Sequence, residues 1–360
     1  MPTPKSVPPP AMTFACLALV TGTAALGCAN FQDESTVIDL RILGAMAEPS
    51  EIYVDPRTLD PGDPTYDGTQ VFRSTLTALV VDPAGQGRPV SYSVFACPRE
   101  IDTVTAATGR NGVVCDHNAD TTREVLDPPG PRQTSDRGPE HDIAFPFAAS
   151  ATDVAGAFLL DPIAATGFQL PIVIQLELSA GTESIVATKR VIFSRPVEGH
   201  EDQPPNANPT INTVLVYRAR DDRVNPVDPI ELPPDGPDGT PPAVRVPVGG
   251  GLWFQPVGAI AEPYWTRTAT RDDPPQVAPL FVPAETLRFA FFTNAGNFSP
   301  ITTNTIVSVL REQQDRIHLE ARYSAPQTMP ADPDVTIWIV ARDERGGASW
   351  IRRRITLVPR

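Results

Sequence analysis

Val335-Thr336-Ile337-Trp338-Ile339-Val340-Ala341-Arg342, then Asp343-Glu344-Arg345-Gly346-Gly347, then Ala348-Ser349-Trp350-Ile351-Arg352-Arg353-Arg354-Ile355-Thr356-Leu357-Val358 close the chain. β-Branched and aromatic residues fill both outer segments, and a polar turn ending in glycine separates them. That is the pattern of a β-hairpin. A second hairpin has the same form. Ile172-Val173-Ile174-Gln175-Leu176-Glu177-Leu178 is its first strand, Ala180-Gly181-Thr182-Glu183 its turn, and Ile185 to Phe193 its second strand. The two hairpins lie 163 positions apart. In each, a basic pair or triplet (Lys189-Arg190; Arg352-Arg353-Arg354) precedes the last apolar residues. The spacing predicts a duplicated domain whose copies each close with their own hairpin.

The rest of the chain fits this frame. Val37 to Leu43 opens the first copy and Ile211 to Tyr217 the second. Thr75 to Val81 and Val90 to Cys97 read as strands around the turn at Asp82-Pro83-Ala84-Gly85. In the second copy, Gly251 to Val257 and Leu287 to Thr293 read the same way; the stretch 305–323 is ambiguous between a helical stripe of Ile306, Val309, Leu310 and Ile317 and the favoured reading, two strands joined by 311–316. There are 42 prolines among 360 residues, which disfavours long helices. The expected fold class is all-β: two tandem immunoglobulin-like β-sandwich domains. The first spans 36–197 with a long acidic loop at 116–142. The second spans 210–360 with a proline-rich loop at 221–243. Residues 198–209 form a polar linker that few contacts should cross, so 210–360 is expected to fold alone.

The amino terminus differs from the rest. Lys5 is the only charge before residue 33, and the 13 residues from Phe14 to Leu26 are apolar or small. Such a stretch is too short for a membrane-spanning helix and suits a secretory signal, with the start at Met1 or Met12. Gly27-Cys28 at its end resembles a bacterial lipoprotein signal. The resemblance implies a signal peptide over 1–27, acylation of Cys28 and a tether over 28–35. Ala29, where aspartate would imply retention at the inner membrane, implies the outer membrane, on its periplasmic or surface face. Ala25 departs from the leucine usual in that family. The alternative is an ordinary signal peptide cut near Ala24 or Gly27.

Two cysteines remain, Cys97 and Cys115, 18 positions apart. An oxidising envelope favours a disulfide between them. The rival reading, a metal site with His117, lacks a fourth ligand and CxxC spacing. Catalytic motifs are absent: no GxSxG, no HExxH and no phosphate loop. The four histidines are scattered, with His117, His141 and His200 in polar loops or the linker and His318 on a strand's polar face. Acidic turns at 60–63 and 235–239 are turn formers with a minor calcium reading. A nucleic-acid binder needs basic surface, so a net charge of −14 disfavours that class. Trp253, Phe254, Tyr264 and Trp265 offer either core packing or an aromatic platform for a glycan or peptide, with Trp253, Tyr264 and Trp265 the candidate binding residues.

The segments Leu40 to Pro49, Ala78 to Pro83, Phe95-Ala96-Cys97-Pro98, Tyr323-Ser324-Ala325-Pro326 and Trp338 to Gly347 resemble outer-membrane lipoproteins of myxobacterial type. The last segment is also similar to the closing strands of bacterial immunoglobulin-like domains. These motifs are structural, and the family brings no activity with it. The expected function is therefore non-enzymatic, without catalytic residue, metal or other cofactor. It is a lipid-anchored envelope protein in binding, adhesion or assembly of a surface complex, its partners being the membrane and another envelope protein or a glycan. The alternative is a carbohydrate- or peptide-binding accessory lipoprotein that uses the aromatic residues of the second domain.

Overall fold

Alternating burial is what organises the chain into sheets. The computed structural model describes residues 34–60, 62–97, 100–104, 111–115, 122–134, 138–160, 169–220, 226–233, 244–259, 261–269, 277–305 and 319–360. Cys28 and its leader, His117, His318, the turn at 235–239 and most of the ambiguous stretch 305–323 lie outside them. The first half contains β1 (Arg41–Glu48), β2 (Glu51–Tyr53), β3 (Val71–Val81), β4 (Ser91–Cys97), β5 (Glu100–Val104), β6 (Asn111–Cys115), β7 (Arg123–Glu124), β8 (Arg132–Gln133), β9 (Glu140–Ser150), α1 (Ala151–Leu160), β10 (Leu170–Ala180) and β11 (Glu183–Ser194). The second contains β12 (Thr213–Tyr217), β13 (Ala219–Arg220), β14 (Pro226–Val227), β15 (Ile230–Leu232), β16 (Arg245–Pro247), β17 (Gly251–Val257), β18 (Tyr264–Ala269), β19 (Val277–Val282), β20 (Arg288–Thr293), β21 (Asn297–Ser299), β22 (Thr302–Asn304), β23 (Ala321–Ser324), β24 (Asp334–Arg342) and β25 (Ala348–Val358).

The predicted tandem sandwich fold is present. Sheets β1-β3-β9 and β2-β11-β10-β4-β7, with β8 also on β4, enclose one core. Sheets β15-β12-β17-β23-β21 and β16-β25-β24-β20-β22 enclose another. The strand orders correspond: β1-β3-β9 with β12-β17-β23, and β2-β11-β10-β4 with β16-β25-β24-β20. In both halves a short strand runs parallel to the last strand, β2 on β11 and β16 on β25, while the remaining pairs of these four sheets are antiparallel.

Three details depart from the expectation. Helix α1 follows β9, where only strand and loop were expected. Its start is a reciprocal cap: Asp153 N donates to Ser150 Oγ at 3.1 Å and Ser150 N to Asp153 Oδ2 at 3.0 Å. The loop 116–142 is shorter than expected, because β7 and β8 pair with β4 and β9 already begins at Glu140. His141 is therefore in a strand, buried in line with Ile143, Phe145 and Phe147 rather than in a polar loop. Likewise β14 and β15 occupy part of the proline-rich stretch 221–243.

Cys97 and Cys115 form the expected disulfide, with Cα atoms 5.6 Å apart. Both are buried beside Val173 and Phe95, and Cys115 N donates to Gln175 Oε1 at 2.7 Å. The bond closes a loop whose opening releases chain entropy. Replacing both cysteines by alanine should lower the unfolding free energy by about 3 kcal/mol. Thiol labelling of the denatured, unreduced protein should fail at both positions. Labelling at both, or an unchanged denaturation midpoint in the double variant, would refute this.

The two sandwiches do not hang on a free linker; residues 34–360 form one compact unit. A third apolar cluster lies between them. Leu43, Leu79 and Val81 on the outer face of β1 and β3 meet Phe292, Trp338, Val340 and Trp350 on the outer face of β20, β24 and β25. Trp350 packs so close to Gly44 that a Cβ there would stand 3.1 Å from its ring. Polar groups rim the cluster: Trp338 Nε1 donates to Glu140 at 3.0 Å and Arg342 to the Leu43 carbonyl at 2.7 Å. The first described residues also pair with the second sandwich. Val37 N donates to the Thr293 carbonyl, Thr293 N to that of Ser35, and Phe298 N to Ser35 Oγ. The last residue of the expected tether is thus a built-in part of the second sandwich.

Candidate functional site

Residues 198–209 have the polar composition of a boundary, yet their side chains bond to both sandwiches. Asn208 donates to the Ala47 carbonyl at 2.8 Å and accepts from Ala348 N at 2.9 Å. Asn206 is buried; its backbone N donates to Glu51 at 2.6 Å and its side chain to Asp343 at 3.0 Å. Gln203 exchanges hydrogen bonds with the backbone N and O of Trp265, acting as a one-residue strand on β18.

These contacts frame a cleft of about 250 Å³. Its walls come from β2 (Glu51, Tyr53), the end of β11 with the residues just beyond it (Ser194, Arg195, Val197), Gln169, the linker, β18 (Trp265, Thr266, Arg267) and the turn after β24 (Arg345). Asp343 builds that turn: its Oδ1 accepts from Arg345 N at 2.9 Å and Gly347 N at 2.6 Å. Gly346 sits at φ +94°, a left-handed conformation that glycine adopts freely. The turn aims Arg345 back at the first sandwich.

Glu51 receives it. Arg345 Nη2 stands 2.7 Å from Glu51 Oε2, and both side chains are under 10% exposed. The same carboxylate accepts from Asn206 N, from Ser194 Oγ at 2.6 Å and from Gln169 at 3.3 Å. Its four lone-pair sites are filled. Arg345 also lies 4.7 Å from the centre of the Tyr264 ring, while the Tyr264 hydroxyl donates to Glu344 at 2.9 Å. Burial, with Glu344 beside it, pushes the Tyr264 phenol well above its ordinary value. Burial and the Glu51 charge raise that of Tyr53.

Two more arginines, Arg195 and Arg267, line the same cleft. Arg267 donates through Nη1 to the Arg195 carbonyl at 2.9 Å and through Nη2 to that of Pro196. Burial, then the Arg195 charge, lowers its pKa; Tyr53 and, on the exposed rim, Glu198 act the other way. Near the cleft, Glu285 is buried with one carboxylate oxygen unpartnered. Burial and Asp343 raise it to about 7. A wider groove of about 470 Å³ flanks the same turn, lined by Lys189, Arg190, Arg342 and Asp343 among others. Lys189 donates to the Gly346 carbonyl, and burial lowers it to about 8.

The aromatic residues singled out from sequence do not form one platform. Phe254 is core, packed edge-on to Phe298 and Tyr323. Trp253 points the other way from β17, opposite Tyr217 and Arg322 in the pairing, and does not line the cleft. Tyr264 and Trp265 do reach the junction. However, His200 stacks on the Trp265 ring at 3.7 Å and Phe281 tilts against it at 5.1 Å, so Trp265 has little open face for a sugar. Asp60 and Asp63 accept from the backbone N–H of Gly62 and Thr65, as turn formers do. Among the described residues no group of three His, Cys, Asp or Glu side chains is placed to hold a metal. Sequence reasoning missed Glu51, Arg195, Arg267 and Arg345. Glu51 and Arg345 are 294 positions apart, and no local spacing marks them as partners.

No known protein-family model matches the chain, and no curated protein does. Solved structures similar to it include native α-2-macroglobulin of E. coli (12% identity, TM-score 0.24, 91% of this chain and 17% of that one). Red sea bream transglutaminase is similar at 8% identity and TM-score 0.20, over 90% of this chain and 32% of that one. The sporulation control protein Spo0M of Bacillus subtilis is similar at 9% identity and TM-score 0.23, over 89% and 91%. The chain therefore spans under a third of the length of the first two.

Proposed function

We propose that this is a lipid-anchored envelope protein that binds a ligand or partner and performs no reaction, with its site at the junction of the two sandwiches. One observation carries the reading. The linker, a shared apolar cluster and the Glu51–Arg345 pair all act to fix a cleft that neither sandwich forms alone. Preformed concave sites between domains are where ligands commonly bind. Within this cleft the Glu51 carboxylate is filled by Arg345, Asn206, Ser194 and Gln169, so this ion pair serves to hold the wall.

The anchor rests on sequence: a short apolar stretch ending at Gly27-Cys28. Several acyl chains, at about 0.8 kcal/mol per buried methylene, are enough to hold a protein on a bilayer. Cys28→Ser should leave the precursor uncut or release the protein from the outer-membrane fraction. An unmodified mature terminus by intact mass would refute the anchor. Pull-down from solubilised envelope with the tagged chain tests the binding role. Retention of one partner that Arg267→Gln abolishes supports it, and retention of none counts against it.

A further inference from the structure

We infer that the junction cleft is gated by pH through Glu285: its neutral carboxyl lets the β18 wall sit on the turn after β24, and its ionisation drives the two apart and opens the cleft. The inference concerns the fold itself and stands whether or not the cleft takes a partner as proposed above.

Burial comes first. Glu285 lies between β19 and β20 and is 5% exposed. Its Oε1 accepts from Glu262 N at 3.3 Å, while Oε2 has no partner among the described residues. An ionised carboxylate calls for donors on both oxygens. The charged and titratable neighbours are acids or are already committed. Asp343 and Glu262 act on Glu285 as like charges. Asp343 cannot turn away, because it accepts from Arg345 N, Gly347 N and the Asn206 side chain. The Tyr264 hydroxyl gives its proton to Glu344. Arg345, the cation that acts on Glu285, is held on Glu51 and over the Tyr264 ring. A protonated carboxyl escapes both the repulsion and the larger desolvation cost. Burial and Asp343 accordingly raise Glu285 to about 7.

Position turns this charge into a motion. Glu285 N donates to the Glu262 carbonyl at 3.0 Å, so the segments that lead into β18 and β20 are tied together. Against them stands the 343–347 turn, which carries Arg345 to Glu51. Tyr264 bridges the seam, through its hydroxyl on Glu344 and its ring under Arg345. The next residues of β18, Trp265, Thr266 and Arg267, line the cleft. Repulsion between Glu285 and Asp343 therefore acts across the seam between cleft wall and turn. The sign follows from the raised value. The cost of ionising Glu285 is absent below the ordinary glutamate range, grows as pH rises, and is complete above about 7. Lys189 holds the same turn through the Gly346 carbonyl, and burial lowers it to about 8. Losing that proton favours the folded form, so its effect has the opposite sign and lies at higher pH.

The test is amide hydrogen exchange on the full chain in detergent, from about pH 5 to about pH 7.5 and corrected for intrinsic exchange. It is read at Trp265, Arg345 and Gly347, whose N–H groups donate to Gln203 and Asp343 at the junction. Phe291 and Ile339, in the core of the second sandwich, serve as reference. Protection at the three junction amides should fall by roughly tenfold or more over that range and level off above about 7, since each unit of pKa shift is a factor of ten. The reference amides should not change. Glu285→Gln should keep its acid protection at every pH. Glu285→Ala, equally uncharged, should also give a flat profile and keeps the test valid if the amide variant misfolds. Constant junction protection in the natural protein, an equal fall at the reference amides, or the same fall in an uncharged variant would overturn the inference. The last result would assign the effect to another group, such as His200 on Trp265. A pull-down that retains no partner sinks the binding role and leaves the gate standing, and a flat exchange profile does the reverse.

Discussion

Arg345→Met should lower the unfolding free energy of the full chain by about 3–5 kcal/mol, among the largest effects of any single substitution away from the surface. Both partners of the Glu51–Arg345 pair are buried, and they join the two sandwiches across 294 positions of sequence. Removing only the cation leaves Glu51 charged in a site built to receive it. The remaining donors, Asn206 N, Ser194 Oγ and Gln169, do not neutralise that charge. Glu51→Gln alone should cost a comparable amount, because it leaves the buried Arg345 cation without its counter-charge and sets an amide NH2 against two of the four donors. The double variant Glu51→Gln, Arg345→Met should recover most of the loss, since a buried pair replaced whole is often near neutral. Urea denaturation of the four proteins gives the cycle. A loss under ~1 kcal/mol for Arg345→Met, the range of exposed pairs, would mean that water reaches the pair and that it does not lock the junction.

The strands were legible because their information is local. Alternation in β11, and the Gly181 turn at φ +62°, need only neighbouring residues to be read. The disulfide was legible because only two cysteines remained to pair. The helix cap at Ser150 and Asp153 was also local, but it is hidden in an alanine-rich stretch directly after a strand. The junction was not legible, although one signal was present. Thr77 to Val81 and Ile337 to Ala341 are nearly unbroken apolar runs, and an unbroken run in a strand marks burial on both faces. Reading them only as strands left Leu79, Val81, Trp338 and Val340 without a destination. The cleft was further out of reach. Glu51, Arg195, Arg267 and Arg345 sit in ordinary sequence, and only the fold brings them within one small volume. Polar composition misled at 198–209, because asparagine and glutamine serve a buried crossing as readily as an exposed one.

That double burial decides how the second sandwich behaves by itself. The hairpin register suggested that the strands around Trp338 and Ile355 keep all their partners within residues 210–360. Ile355 does, in the core of its own sandwich. Trp338 does not: its ring packs in the cluster with Leu43, Leu79 and Val81, and its Nε1 donates to Glu140. Residues 206–360 alone would expose Phe292, Trp338, Val340 and Trp350 together on one sheet face, and would lose the Ser35 to Val37 segment from the edge of β20 and β21. A contiguous apolar patch of that kind drives association. The fragment should therefore keep a β-rich circular dichroism spectrum but run as an oligomer in size-exclusion chromatography. In the full chain, Trp338→Ala should cost about 3–5 kcal/mol, the range for emptying a buried aromatic site. Glu140→Gln should cost far less, since the amide oxygen still accepts from the indole N–H. A monomeric fragment that melts as sharply as the full chain, together with a Trp338→Ala cost under ~1 kcal/mol, would show that the sandwiches are independent and their contact incidental.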